Sequence, residues 1–67
     1  MLRAKLESSA IQEVIYDESS RLLTVVFHHG GAYDYPDVPE EKVLGLIHAD
    51  SCGKYFHREI RHYSKLS

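Results

Sequence analysis

The sequence predicts an α+β fold in which an antiparallel three-stranded meander packs against two short C-terminal helices. Two observations carry this prediction. The first half of the chain holds segments rich in β-branched and aromatic residues, separated by polar turns, which is typical of strands. After Pro36 the apolar residues recur at helical spacing instead. A chain of 67 residues has room for one domain with a small core.

The strands are expected at about 9–17, 21–29 and 32–35. The segment "AIQEVIYD" runs into a polar turn cluster, and "RLLTVVFHH" is apolar on both faces, which indicates the central strand. Gly30-Gly31 favours a hairpin turn, and "AYDY" gives a third strand that ends at Pro36. The alternation over residues 2–7 is compatible with a short N-terminal edge strand as a fourth.

The helices are expected at about 39–49 and 52–63. We expect Asp37 or Val38 to cap the first helix, with Pro39 in its first turn. Ser51 is a natural N-terminal cap for the second. The apolar stripe of the second helix consists of Phe56, Ile60 and Tyr63.

The composition excludes several protein classes. With 43% hydrophobic and 27% charged residues, the chain is too apolar for intrinsic disorder. It has no run of about 18 apolar residues that could span a bilayer, and its first residues lack the apolar segment of a secretory signal. The single cysteine, Cys52, cannot form an intramolecular disulfide, which fits a reducing compartment, so we expect a cytoplasmic protein.

The charge is distributed unevenly along the chain. The formal net charge is −2, yet residues 51–67 hold four basic side chains against Glu59 alone. These four cations, which could contact phosphates along one helix face, are Lys54, Arg58, Arg61 and Lys65. The alternative is an ordinary solvated helix face, which is the usual position of charged residues on a helix.

Ser51 and Gly53 open the second helix just before Lys54. Free backbone N–H groups at a helix start bind anions, so Ser51 and Gly53 are candidate phosphate-binding residues. The segment is not a nucleotide-binding P-loop, because His48 stands where that motif needs a glycine. The alternative is a plain serine cap with a glycine that allows close packing.

Three tyrosines are candidate stacking groups for nucleic-acid bases: Tyr33, Tyr35 and Tyr55. Tyr33 and Tyr35 are two residues apart on a strand, so their rings point to the same face. The alternative is packing, since a small domain with two phenylalanines and no tryptophan must use tyrosine rings in its core.

The chain resembles the KTSC domain, a family of about this length named for its occurrence at the C-terminus of some lysyl-tRNA synthetases and found alone in small bacterial and phage proteins. The residues that carry the resemblance are Ser8-Ser9, Tyr16-Asp17, Phe27, Gly30, Tyr33-x-Tyr35, Val38-Pro39, Ser51-x-Gly53-Lys54-Tyr55-Phe56, Ile60 and Tyr63. Two positions depart from the family pattern: Ile15 where glycine is frequent, and His57 where asparagine is frequent. What the resemblance implies about function is limited: RNA binding has been suggested for the family, and no activity is established for it.

From these observations we expect a non-enzymatic binding module with no cofactor, whose partner is RNA or another phosphate-bearing molecule. The histidines and Cys52 show no metal-ligand spacing, so we expect no metal site. The alternative is a protein-interaction or self-association module. In that case the second face of the central strand, which includes Leu22 and Val26, would be an exposed apolar patch.

Overall fold

The computed structural model describes residues 1–63, and Lys65 lies outside these described residues. The elements are β1 (Leu2–Lys5), β2 (Ile11–Asp17), β3 (Leu22–Phe27), β4 (Ala32–Tyr35), α1 (Glu40–His48), α2 (Cys52–Tyr55) and a π-helical segment (Phe56–Ile60) that continues α2 directly. The strands form one antiparallel sheet in the order β1-β2-β3-β4. The predicted α+β fold is therefore confirmed, and the N-terminal edge strand is present.

Turn chemistry explains where the strands begin and end. β2 begins at Ile11 because the Ser8 hydroxyl accepts hydrogen bonds from the N–H groups of Ala10 and Ile11, both at 3.2 Å, which makes a turn before the strand. β3 and β4 are joined through Gly30 and Gly31, whose φ angles are 102° and 88°. Glycine adopts these angles without steric cost, so the hairpin closes here.

The core lies on one face of the sheet, under the helices. Strand residues alternate between this face and the other, as the pleat requires. Buried apolar side chains from the strands and helices form one cluster. Its members are Ile11, Val14, Tyr16, Leu23, Val25, Tyr35, Val38, Val43, Leu46, Cys52, Phe56 and Ile60.

The predicted cap of the first helix is wrong. The N-terminal cap is Pro39 and the helix begins at Glu40, without a side-chain capping bond. Asp37 has a φ of 61°, and Val38 is fully buried, with its N–H bonded to the turn before β3 and its carbonyl bonded to β2. Its N–H donates to the Arg21 carbonyl at 3.0 Å, and its carbonyl accepts from the Tyr16 hydroxyl at 2.6 Å. Because these bonds hold residue 38 against the sheet, the helix starts later.

The second helix begins as expected and then changes its geometry. The Ser51 hydroxyl accepts a hydrogen bond from the Lys54 N–H at 3.3 Å, so the predicted cap is confirmed. After Tyr55 the helix widens into the π-helical segment, in which the Arg61 N–H donates to the Phe56 carbonyl at 2.9 Å. Phe56 and Ile60 remain buried through this change, and Tyr63 is half-buried.

Candidate nucleic-acid interface

A cleft of about 580 Å³ lies between the end of α1 and the start of α2. Its lining includes His48, Asp50, Ser51, Lys54, Tyr55 and Arg58. We call it the interhelical cleft. Two of the four candidate phosphate-binding cations and one of the candidate tyrosines are thus brought together at one concave surface.

Tyr55 forms the aromatic wall of the interhelical cleft. Its ring lies so close to Gly45 of α1 that a side chain at position 45 would overlap the phenol. The Arg58 guanidinium carbon lies 5.5 Å from the centroid of this ring, at a distance typical of a cation–π contact. Glycine at position 45 therefore lets Tyr55 rest on α1, and Tyr55 in turn positions the charge of Arg58 at the cleft.

Lys54 supplies the second cation of the cleft. Its side chain is exposed and forms no ion pair within residues 1–63, so its charge is available to a ligand. Ser51 lies beside it and caps the helix. The carboxylate of Asp50 also lies on the cleft wall and opposes a phosphate there.

Two other predicted phosphate-binding residues within the described part of the chain, Arg61 and Gly53, do not line this cleft. Arg61 is exposed beyond the π-helical segment and does not line the cleft, and Lys65 lies outside the described residues. Gly53 lines a smaller cleft of about 220 Å³ together with Ser8 and Ser9. Within residues 1–63, nothing lies within 4 Å of a side chain placed at Gly53, so close packing among these residues does not explain this glycine.

Sequence reasoning missed Lys42, whose ammonium is hydrogen-bonded to Glu59 across the two helices. The Lys42 Nζ to Glu59 Oε1 distance is 2.5 Å, and Arg58 Nε lies 2.9 Å from the other carboxylate oxygen. The hydrogen bond from Lys42, followed by that from Arg58, lowers the pKa of Glu59. The hydrogen bond to Glu59 raises the pKa of Lys42. Glu59 therefore joins the helices and holds Arg58 beside the cleft.

Replacing Glu59 with glutamine is expected to weaken the acid sensitivity of folding. A carboxyl group whose pKa is lowered in the folded state stabilises that state above its unfolded pKa, which is ordinarily 4.5. This contribution is lost as the pH falls from 4.5 through the lowered pKa, so wild-type stability should fall more steeply there than that of Glu59→Gln. Thermal unfolding measured across acidic pH checks this, with Glu7→Gln as the control of equal charge. Parallel curves for wild type and Glu59→Gln would contradict the expectation.

Tyr33 and Tyr35 lie on the helix-covered face of the sheet. Tyr35 is 4% exposed, and its ring packs edge-on against Phe56 at 5.6 Å between centroids. Tyr33 is half-buried and packs edge-on against Phe27 at 5.9 Å. Burial, and after it the nearby Tyr33, raises the pKa of Tyr35. The ring of Tyr35 therefore offers no open face to a base, as the packing alternative expects.

The opposite face of the sheet, which we call the open sheet face, carries no described helix. Its centre is formed by half-buried Ile15, Leu22, Thr24 and Val26. Arg3 and Lys5 of β1 lie at one edge, and Asp34 of β4 lies at the other. Leu22 and Val26 are thus on the face that the sequence assigned to them, but they are only partly exposed.

Among the described residues, no group of three or more His, Cys, Asp or Glu side chains is close enough together to hold a metal ion. The Cys52 thiol is buried and donates to the Leu46 carbonyl at 3.4 Å. The helices within residues 1–63 are all too short and too polar to cross a membrane.

Comparison with known proteins identifies relatives over nearly the whole chain. A family model described as the KTSC domain matches residues 7–63. A crystal structure of a KTSC domain protein from Yersinia pestis superposes with a TM-score of 0.93 at 30% identity, covering 98% of this chain and 94% of that one. An uncharacterised protein from Stutzerimonas stutzeri is 38% identical over 65 residues, covering 94% of this chain and 92% of the relative.

Two further relatives are much longer proteins. A lysine–tRNA ligase from Trichormus variabilis is 39% identical over 57 residues, which is 85% of this chain but 10% of the ligase. A lysine–tRNA ligase from Nostoc punctiforme is 33% identical with the same coverage. The chain therefore spans about a tenth of the ligases that it matches.

Proposed function

The chain belongs to the KTSC domain family, and on that premise we propose that it is a non-enzymatic module that binds single-stranded RNA at the interhelical cleft. The observation that carries the proposal is the convergence of Lys54, Arg58 and the Tyr55 ring on one concave surface. Cations neutralise phosphates, and aromatic rings and guanidinium groups stack on unpaired bases. This combination is typical of surfaces that bind single strands without strong sequence preference.

Two further observations support RNA as the ligand. Stretches similar to this chain occur in lysine–tRNA ligases, enzymes whose name states that they act on a tRNA. The basic residues are also concentrated after residue 50, on an otherwise acidic chain. Such an asymmetric charge orients the cleft towards a polyanion and turns the acidic part of the chain away from it.

Each residue of the cleft has a separate role in the proposal. Lys54 contacts one phosphate, and Arg58, whose Nε is bound to Glu59, contacts the next through its terminal nitrogens. Tyr55 keeps the Arg58 guanidinium over the cleft, where a base can stack on it. Ser51 holds the helix start that presents Lys54. Asp50 repels a phosphate but accepts a hydrogen bond from a ribose hydroxyl. It therefore fits an RNA backbone that turns a ribose, and not a phosphate, towards the Asp50 side of the cleft. With so few phosphate contacts, binding is weak and depends strongly on salt.

An RNA titration followed by NMR tests the proposal. An unstructured RNA oligonucleotide added at low salt is expected to shift the amide signals of residues 45–58 and to leave those of β1 unchanged. Removing both cations, as Lys54→Ala with Arg58→Ala, should weaken binding about tenfold. It should also lower the slope of log affinity against log salt by about 1.4, since each lost phosphate contact removes about 0.7 for a single strand.

A variant that loses the same charge from the other side of the molecule is the matched control. Arg3→Ala with Lys5→Ala removes two cations of β1 that lie on the open sheet face and do not line the cleft. If this control weakens binding as much as the cleft variant, the effect is one of net charge and the proposed site is wrong. A titration that shifts no signal of the second helix at low salt contradicts RNA binding itself.

A further inference from the structure

The open sheet face carries opposite charges at the two ends of one row of side chains. Strand pairing places Arg3 beside Ile15, Ile15 beside Thr24, and Thr24 beside Asp34. These residues share one face of the sheet, because directly paired residues point the same way. Neighbouring strands lie about 4.8 Å apart, so Arg3 and Asp34 are separated by roughly 14 Å. The row is thus basic at β1, acidic at β4 and uncharged between them.

Both charged groups are oriented by a neighbour and retain hydrogen-bonding capacity. Arg3 Nε lies 3.0 Å from Glu13 Oε2, while the Arg3 side chain remains 68% exposed. The Thr24 hydroxyl donates to Asp34 Oδ1 at 2.6 Å. These contacts use one nitrogen of the guanidinium and one oxygen of the carboxylate, and the other polar atoms can bind elsewhere. Groups held in place beforehand lose less entropy when they bind a partner.

We infer that the open sheet face pairs with the same face of a second copy of this chain, around a two-fold axis parallel to the strands. Such an axis lays β1 of one copy over β4 of the other, so Arg3 meets Asp34 of the second copy, and the contact occurs twice. Two sheets packed face to face keep their strands nearly aligned, which this arrangement satisfies. Ile15, Leu22 and Val26 then lie in the middle of the contact. There β2 of one copy covers β3 of the other, so the carboxylates of Glu13 and Asp17, which share this face, lie beside them.

The charges select this arrangement over the other symmetric one. A two-fold axis perpendicular to the strands would lay β1 over β1 and β4 over β4. Arg3 and Lys5 would then face the same two cations of the second copy, and Asp34 would face a carboxylate. Like charges placed opposite each other are destabilising. The charges of the two edge strands, Arg3 and Lys5 on β1 and Asp34 on β4, therefore favour the parallel axis.

The size of the face sets the strength of the pairing. The open sheet face is four strands wide, at about 4.8 Å per strand, and about six residues long, at about 3.4 Å per residue. Its area is therefore roughly 400 Å² per copy. Stable interfaces bury about 800 Å² per partner, so the dimer belongs to the weak and transient class. It should appear only at high protein concentration and weaken as salt is added.

Sedimentation of RNA-free protein up to millimolar concentration tests the inference with two charge reversals. Arg3→Glu and Asp34→Arg each turn two attractive contacts into repulsive ones, and each variant alone should self-associate about tenfold more weakly than wild type. Mixed in equal amounts, the two variants restore both contacts, and their mixed dimer should form as readily as the wild-type dimer. Arg61→Glu is the control for Arg3→Glu, since it makes the same charge change at an exposed position just beyond the π-helical segment.

Circular dichroism establishes that each variant is folded, and Arg3→Gln replaces Arg3→Glu if the neighbouring Glu13 disturbs that variant. A wild type that stays monomeric at millimolar concentration overturns the inference, and so does a mixture that associates no better than its components. Association that survives both reversals and protects the β1 amides would indicate edge-to-edge pairing of β1 instead, and would also overturn it. None of these outcomes decides the RNA proposal, which concerns the cleft on the helix-covered side of the sheet.

Discussion

Replacing Leu23 with alanine is expected to lower the free energy of unfolding by about 3 kcal/mol. Leu23 is fully buried and lies directly between Tyr16 of β2 and Tyr35 of β4. The substitution removes three carbons from this contact and leaves a cavity that two rigid rings cannot fill. A domain of this size has a total stability of roughly 3–10 kcal/mol, so a large share would be lost.

Leu22 provides a matched control one position earlier in β3. It is the same residue type but is half-buried on the open sheet face, opposite Asp17. Leu22→Ala should cost about 1 kcal/mol or less, because less apolar surface returns to water. Urea unfolding followed by circular dichroism at low protein concentration measures both variants, since the chain has no tryptophan. Equal losses at the two positions would mean that the core is not confined to the helix-covered face.

Replacing Tyr16 with phenylalanine is expected to lower the free energy of unfolding by about 2 kcal/mol. The Tyr16 hydroxyl donates to the Val38 carbonyl at 2.6 Å, and both residues are almost fully buried. Without the hydroxyl, this carbonyl remains buried with its donor lost. Because Val38 joins the sheet to α1, the loss should also increase hydrogen exchange at the α1 amides relative to those of β2.

Tyr35 is the control for the loss of a hydroxyl group. It is buried at 4% exposure in the same core, but within the described residues its hydroxyl makes no hydrogen bond. Tyr35→Phe should therefore change stability by less than about 0.5 kcal/mol. A loss at Tyr35→Phe as large as that at Tyr16→Phe would show that the bond to Val38 is not the cause. Urea unfolding of the two variants under the same conditions makes the comparison.

Local patterns were sufficient to predict the fold class, the edge strand and the Ser51 cap. The alternation of residues 2–7 and the serine before the second helix each act within a few residues, which is the range that a sequence pattern reports. The prediction of the α1 cap was wrong because Val38 is held by a hydrogen bond from Tyr16, which is 22 residues away in the sequence. The bond between Lys42 and Glu59 joins residues 17 positions apart. No pattern in the sequence indicates contacts at such distances.

Only part of the candidate site was predicted, because the rest of it depends on contacts between residues that are distant in the sequence. Lys54 and Arg58 are four residues apart, and their shared position on the cleft follows from helix geometry. The role of Gly45 could not be read from the sequence, because it depends on where α2 crosses α1. The π-helical segment was not predicted either. A four-residue spacing between buried residues, such as Phe56 and Ile60, is compatible with both kinds of helix.

That π-helical segment determines which cations can act together. A π-helical turn holds about one residue more than an α-helical turn, so it acts as a one-residue insertion within the second helix. In an unbroken α-helix, Arg61 would lie about 20° around the axis from Lys54, whereas one inserted residue moves it by about 100° more. Among the described cations of this helix, Lys54 and Arg58 therefore line the cleft, whereas Arg61 is exposed and does not line it. A related chain one residue shorter here would keep its cations and present them as a different surface.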